Sequence, residues 1–304
     1  MIAPADRAAP SDMEARLRAA LHLLDGETGG NAERVEAGVR EMLAGARCDE
    51  ALRVLASAWD APEPGVRRHA RRLSCEALIE EAGRGPGTAG DPWAGARLRM
   101  VRDQLFRQGI ADPRVLRAML AIPREAFVPA PILGQAYDPN PLAIGDGQTI
   151  SQPFIVAYMT EALGLRGDEK VLEVGTGSGY QAAVLARTAR EVWSIELREG
   201  LARRAAGTLA RLGCTNVRLR AGDGRAGWPD AAPFDAVMAT CAPEAVPPAL
   251  TAQLREGGRL IAPVGGSPEC QWLVRVTKGP EGLREETLIA VRFVPMTGVP
   301  GSAP

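Results

Sequence analysis

The chain has 304 residues, 46% of them apolar, with 36 Lys and Arg against 37 Asp and Glu for a formal net charge of −1. That apolar content excludes a disordered chain, and the length suits two domains, one of roughly 200 residues with a substantial core. The balanced charge gives no global pull toward phosphate backbones or anionic membranes, so neither nucleic acid nor membrane is an expected partner.

The first eighty or so residues carry helical periodicity and no strand signal. Ser11 followed by Glu14 forms a capping box, after which Leu17, Ala20, Leu21 and Leu24 share a helical face. Val35, Val39, Met42 and Leu43 repeat the spacing after a possible Asn31 cap, then Leu52, Leu55, Ala56 and Trp59, then Val66, Ala70, Leu73 and Ala77 beyond the Pro62-Glu-Pro64 break. Residues 1–82 are therefore read as a small all-α domain, either a bundle or a helical array. Gly83 to Pro92 is rich in Gly and Pro, which places a linker over 83–94 ahead of a second domain, 95–304.

Within that second domain, residues 95–108 and 113–120 look helical. From 169 the pattern alternates: strand 169–174, helix 179–189, strand 191–196, helix 198–212, strand 216–221, strand 234–240, helix 246–254 and strand 258–264, with closing strands over 271–277 and 287–295. The alternation predicts an α/β fold with a parallel sheet covered by helices on both faces.

Five cysteines, Cys48, Cys75, Cys214, Cys241 and Cys270, are odd in number and contain no Cys-x-x-Cys pair, so they read as reduced, mostly buried thiols. The only histidines, His22 and His69, both precede the α/β pattern, which removes Ser-His-Asp and Cys-His catalysis and most zinc sites. The start of the chain lacks a basic segment followed by an apolar run, and no stretch reaches the length of a membrane span; a soluble cytoplasmic protein is expected.

Two segments carry the chemistry. Val171-Leu-Glu-Val-Gly175-Thr-Gly177-Ser-Gly179 is a strand ending in a Gly-rich turn suited to a nucleotide cofactor, a pattern many enzymes share. Ahead of it, Gly147-Gln-Thr-Ile-Ser-Gln-Pro153 adds a hydroxyl-rich loop. Further marks follow in order: Ile122-Pro-Arg-Glu-Ala-Phe-Val-Pro129, Gly222-Asp223-Gly224 with Gly227-Trp228-Pro229, Val246-Pro-Pro-Ala-Leu250, Pro263-Val-Gly265 and Phe293-Val-Pro-Met-Thr297. Together they resemble the protein-L-isoaspartate O-methyltransferase family from about Arg97 to Gly298.

The resemblance implies a seven-stranded Rossmann-like class I methyltransferase sheet, antiparallel at one edge, with S-adenosyl-L-methionine as cofactor. It implies methyl esterification of the free α-carboxylate of L-isoaspartyl residues in damaged proteins or peptides. Gly175, Gly177 and Gly179 would let the backbone approach the cofactor, Glu196 would accept its ribose hydroxyls, and Asp223 with Gly224 would face the adenine edge. Glu173, inside the first strand, would hold the cofactor ammonium or the loop itself. Ser151, with Thr149 nearby, falls at the catalytic serine, although a serine there could also cap the helix starting near Pro153. Thr297 matches a position closing over the site.

Two departures stand out: Asp146, whose charge would repel a carboxylate substrate unless paired or turned away, and Cys241 after the fourth strand. Three other readings stay open: an aspartyl O-methyltransferase dedicated to peptide modification, a nucleic-acid methyltransferase, or an inactive binding protein. The nucleic-acid reading rests on Arg67, Arg68, Arg71 and Arg72 around His69, a run that otherwise reads as a solvated helix face. The partner of the N-terminal helices is not legible.

Overall fold

The computed structural model describes residues 19, 20, 37, 39, 55–84, 90–267 and 270–298. The chain divides into two compact units, residues 1–90 with 111–113, and residues 91–110 with 114–304. The Ser11 capping box, the Asn31 cap and most positions of the first three expected helices lie outside the described residues.

In the first unit, helix α1 (Pro64–Arg84) opens on a proline, which suits a first turn because its missing N–H has no partner there anyway. Val66, Ala70 and Leu73 form its buried stripe and pack with Val39, Leu55 and Trp59. Trp59 Nε1 donates to Ser74 Oγ at 2.8 Å, satisfying a buried indole. Three arginines of the run are committed within the unit: Arg67 donates to Ala61 O at 2.6 Å, Arg71 to Trp59 O at 2.8 Å, and Arg72 pairs with Glu76 at 3.6 Å.

The second unit begins with a change of helix type. Residues expected as one helix over 95–108 form α2 (Ala94–Arg99), a π-helical stretch (Met100–Leu105) and a 3-10 turn (Phe106–Gln108). Gly109, at φ +100°, ends the run in the left-handed region. Helix α3 (Pro113–Ala121) is followed by two 3-10 segments, Arg124–Phe127 and Ala130–Gln135. Then comes a hairpin that the sequence reading treated as loop, β1 (Leu142–Gly145) and β2 (Gln148–Ile150), antiparallel, with Gly145 opposite Gln148. Its two-residue turn is Asp146-Gly147, both at positive φ (+54° and +69°), as a type I′ turn requires.

Helix α4 (Pro153–Leu163) leads into the main sheet: β3 (Lys170–Val174), α5 (Tyr180–Ala186), β4 (Glu191–Glu196), α6 (Glu199–Arg211), β5 (Val217–Ala221), β6 (Phe234–Ala239), α7 (Pro248–Ala252), β7 (Leu254–Ser267), β8 (Cys270–Gly279) and β9 (Gly282–Val291). The strand order is β5-β4-β3-β6-β7-β8-β9, parallel through β7 and antiparallel for β8 and β9. This is the class I methyltransferase sheet. Alternate residues of β3 serve opposite faces: Val171 packs with Met159, Leu185 and Ile261, whereas Leu172 and Val174 pack with Ile195, Val237 and Leu250.

The last strand departs from the expected 287–295 and ends at Val291. Beyond it a side-chain amide replaces the ladder: Gln271 Oε1 accepts from Phe293 N at 2.6 Å and Gln271 Nε2 donates to Phe293 O at 3.2 Å. Residues 294–296 are thereby led to the end of β6, where Ala242 N donates to Val294 O at 2.8 Å and Met296 N to Ala242 O at 2.7 Å.

Candidate active site

Chain connections leave β3 toward β4 on one side and later reach β6 on the other, so the carboxyl ends of these strands form the crevice where α/β sheets bind ligands. A cleft of ≈ 800 Å³, including its open mouth, occupies that place. One wall is the loop after β3 and the end of β4; the other carries Thr149, Ile150 and Ser151; Val294 to Thr297 lie along its edge.

The glycine loop is tied down before any ligand arrives. Gly175 N donates to Ile195 O at 2.8 Å, Gly179 N to Thr176 O at 2.9 Å, and Thr240 N to Val174 O at 2.9 Å. Thr240 Oγ1 also donates to Gly175 O. All three glycines have positive φ, +99°, +55° and +92°. They are not equivalent. A Cβ on Gly175 would stand 2.5 Å from Thr240 Oγ1, so the protein's own packing requires that glycine, and one on Gly179 would crowd Ala205 Cβ at 3.2 Å. A Cβ on Gly177 would meet only Ile144 Cδ1 at 3.7 Å, an ordinary contact. Close approach of a ligand is therefore an argument for Gly177 in particular.

Glu196 lines the cleft and is 6% exposed. Its carboxylate bridges the wall: Oε2 accepts from Gly177 N at 2.8 Å and Oε1 from Arg198 N at 2.9 Å. Glu173 is fully buried beneath the loop and does not line the cleft. Ser194 Oγ donates to its Oε2 and lies 2.5 Å from Thr176 Oγ1, while Oε1 has no partner. Burial pushes the Glu173 carboxyl up to about 8, with Ser194 opposing and the nearby Glu196 charge adding to the rise. The Glu173 side chain thus bonds beneath the loop, to Ser194, whose hydroxyl meets Thr176.

Asp223 does not line the cleft, whereas Gly224 does. The Asp223 carboxylate caps a short 3-10 turn through Arg225 N at 2.9 Å and takes the Arg225 guanidinium in a fork, with Nε at 3.0 Å and Nη2 at 2.8 Å from Oδ2. Gly224 is required by packing, since a Cβ there would fall 2.4 Å from Val174 Cγ1. Thr297 lines the cleft's edge.

On the opposite wall, Ser151 is not the helix cap: the N-cap of α4 is Gln152, without a side-chain capping bond. Thr149 and Ser151 also line a wider groove of ≈ 1640 Å³, shared at Thr240, Val294 and Pro295 and running past Ile155 to Val291 and Arg292. Asp146 sits at the exposed hairpin turn outside both, and its carboxylate pairs with Arg204 at 3.1 Å, which answers the repulsion expected of it. Cys241 is half-buried, with its sulfur turned inward 3.8 Å from Val174 O. Burial and the surrounding Glu196, Asp223 and Glu173 push its thiol up to about 12, so it is neutral. The expectation of mostly buried thiols holds for Cys75, but Cys214 is half-buried, Cys270 is exposed, and Cys48 lies outside the described residues.

Sequence reasoning missed the hairpin, although Asp146-Gly147 between Leu142, Ile144 and Ile150 was a legible turn signal. It also missed Arg124, whose Nη2 donates to Ser151 O at 2.8 Å; nothing local marks that contact across 27 positions.

Known proteins resemble this chain. The family model described as protein-L-isoaspartate(D-aspartate) O-methyltransferase matches residues 97–300. The protein-L-isoaspartate O-methyltransferase of Opitutus terrae is 52% identical over 226 residues, covering 74% of this chain and 97% of that protein. Protein-L-isoaspartate O-methyltransferase 1 of an Anaeromyxobacter species is 60% identical over 195 residues, covering 64% of this chain and 92% of its own. A solved protein-L-isoaspartate O-methyltransferase superposes with a TM-score of 0.62 at 32% identity over 66% of each chain. The match over 97–300, on a glycine loop facing a serine-bearing hairpin, shows that the chain belongs to the protein-L-isoaspartate O-methyltransferase family.

Proposed function

We propose that the chain methylates the free α-carboxylate of L-isoaspartyl residues in proteins and peptides, with S-adenosyl-L-methionine as methyl donor, the entry step of a repair route. The observation carrying this reading is the single cleft bounded by the Gly175–Gly179 loop and Glu196 on one wall and by Thr149 and Ser151 on the other. When bound, S-adenosylmethionine supplies a methyl group on a cationic sulfur, already electrophilic.

The residues fit that cofactor. Gly177 leaves room for close approach, Glu196 has lone pairs left for ribose hydroxyls after its two backbone bonds, and Gly224 lines the cleft where the adenine would lie. Thr297 closes the edge. Glu173 acts from beneath, by holding Ser194 and Thr176 under the loop. Asp223 takes the adenine side through its turn, and its carboxylate reaches a ligand only if Arg225 yields part of the fork.

For the substrate, Ser151 and Thr149 supply hydroxyl donors at the junction of cleft and groove. An aspartyl-type carboxyl has a reference pKa of about 3.9, so the nucleophile is already an anion at neutral pH and no general base is needed. That agrees with a chain whose histidines, His22 and His69, precede residues 97–300. Alignment of the reactants is then the main task, and it is able to supply roughly 7–11 kcal/mol. The groove beyond Ser151 suits an extended peptide rather than a flipped base, and the commitments of Arg67, Arg71 and Arg72 leave little of a basic patch. Among the described residues no helix is long and apolar enough to cross a membrane.

Initial methylation rates on paired isoaspartyl and aspartyl peptides test the reading: a strong isoaspartyl preference is expected, and equal rates reject repair. We further propose that residues 95–304 form the catalytic domain, with 1–82 a separate helical domain. The same assay on a chain beginning at Asp91 checks this, and a folded but inert product rejects it.

A further inference from the structure

Arg124 is among the largest fully buried side chains of the described residues, with no exposed surface. A buried guanidinium normally lies against a carboxylate, because an uncompensated interior charge is costly. Arg124 has no such partner among the described residues. Its Nε donates to Ala136 O at 2.8 Å and its Nη2 to Ser151 O at 2.8 Å, while Nη1 has no acceptor. Its Cζ lies 4.9 Å from the centre of the Tyr180 ring.

These contacts join the two walls of the cleft. Ser151 belongs to the substrate wall; Tyr180, 1% exposed, is the first residue of α5, directly after Gly179 of the glycine loop. Phe127 backs the same ring edge-on at 5.4 Å. An apolar side chain would fill the space at lower electrostatic cost, so stability alone does not account for a guanidinium here. A planar fork, by contrast, is able to hold two carbonyls while resting on an aromatic face, which an ammonium cannot do.

We infer that Arg124 is a positioning residue for methyl transfer: it fixes the main chain of Ser151 and, through Tyr180, sets the spacing of the serine from the cofactor loop. This rests on the function proposed above. Arg124 does not touch the reacting atoms; it acts through Ser151.

The test compares wild type, Arg124→Lys and Arg124→Met, each with and without Ser151→Ala, for kcat on an isoaspartyl peptide and for S-adenosylhomocysteine affinity by calorimetry. Both Arg124 variants are expected to lose roughly 10- to 100-fold in kcat, Lys less than Met, with affinity within roughly threefold of wild type. In the Ser151→Ala background the same changes cost less than roughly threefold, because the group being positioned is already gone. Equal losses in both backgrounds, an unchanged kcat, or an affinity loss matching the rate loss overturns the inference. Should Arg124→Met not fold, Arg124→Lys carries the same comparison. A wild type that methylates neither an isoaspartyl nor an aspartyl peptide overturns this inference together with the function; an active wild type with unaffected variants overturns this inference alone.

Discussion

The two walls of the cleft are built differently. The cofactor wall is held at the level of backbone: three glycines at positive φ, the Glu196 carboxylate clamping Gly177 N and Arg198 N, and Thr240 tying β6 to the loop. The substrate wall is a short surface hairpin whose Leu142, Ile144 and Ile150 point inward, pinned from inside by Arg124 and from outside by Arg204. A cofactor is the same molecule at every turnover, so a preformed backbone cradle suits it. Damaged residues arrive on many different peptides, and on the function proposed above a hydroxyl-bearing edge opening into a wide groove would hold the one shared carboxylate while leaving the rest of the peptide room.

Five changes sharpen or break that contrast. Gly177→Ala should have the largest effect on binding. At φ +55° a Cβ costs roughly 1–2 kcal/mol, and on the proposed binding mode the added methyl would narrow the cofactor's approach to the loop. S-adenosylhomocysteine affinity by calorimetry should fall by roughly 100-fold, equivalent to about 2.8 kcal/mol at about 1.4 kcal/mol per tenfold. Gly175→Ala should instead lower the unfolding midpoint, because its Cβ strikes Thr240. If both variants behave alike, the distinction between cradle glycine and packing glycine is wrong.

Ser151→Ala comes next. Loss of a hydrogen bond to a charged group costs about 1.5–3 kcal/mol, so kcat should drop roughly 10- to 100-fold while S-adenosylhomocysteine binding stays put. A change confined to cofactor affinity would assign the serine to the other wall.

Glu173→Gln probes the support under the cofactor wall. The folded carboxyl sits near 8 against an ordinary 4.5, so the folded state binds its proton more tightly than the unfolded chain. Its contribution is fully present below 4.5 and is lost as pH rises toward 8. Glutamine, which cannot ionise, should therefore match wild type near the acid end and gain on the order of 4 kcal/mol by about pH 8. Denaturant unfolding of both proteins across that window decides it; a gain that does not vary with pH means Glu173 is ionised in the folded protein.

Arg204→Ala should matter least. Its pair with Asp146 is well exposed on both sides, and such pairs contribute less than about 1 kcal/mol. A stability loss well beyond that in thermal unfolding would show that the hairpin depends on its outer pin as much as on Arg124.

Much of the fold was legible. Strands at 170–174, 191–196, 217–221 and 234–239 fall where alternation placed them, because buried parallel strands and their covering helices write contiguous patterns in sequence. The glycine loop and the Gln-Thr-Ile-Ser segment were legible for the same reason, their parts lying side by side in the chain. The helix expected over 95–108 was read too simply: apolar spacing does not separate α from π hydrogen bonding, and Met100–Leu105 is π-helical. The closing strand was misplaced because the Gln271 side chain, not periodicity, ends the ladder before Phe293.

By itself the sequence determined the sheet, the glycine turn, the hydroxyls near position 150 and the absence of histidine from residues 97–300, all properties of residue type and short-range order. Tertiary structure alone decided which way the carboxylates face: Glu196 into the cleft, Glu173 beneath it, Asp223 onto Arg225 and Asp146 onto Arg204. It also decided that a buried guanidinium at 124 holds the carbonyl at 151. A carboxylate or guanidinium takes its role from whichever donor, acceptor or ring the folded chain brings within a few ångströms, and partners 27 or 58 positions away leave no mark on local sequence.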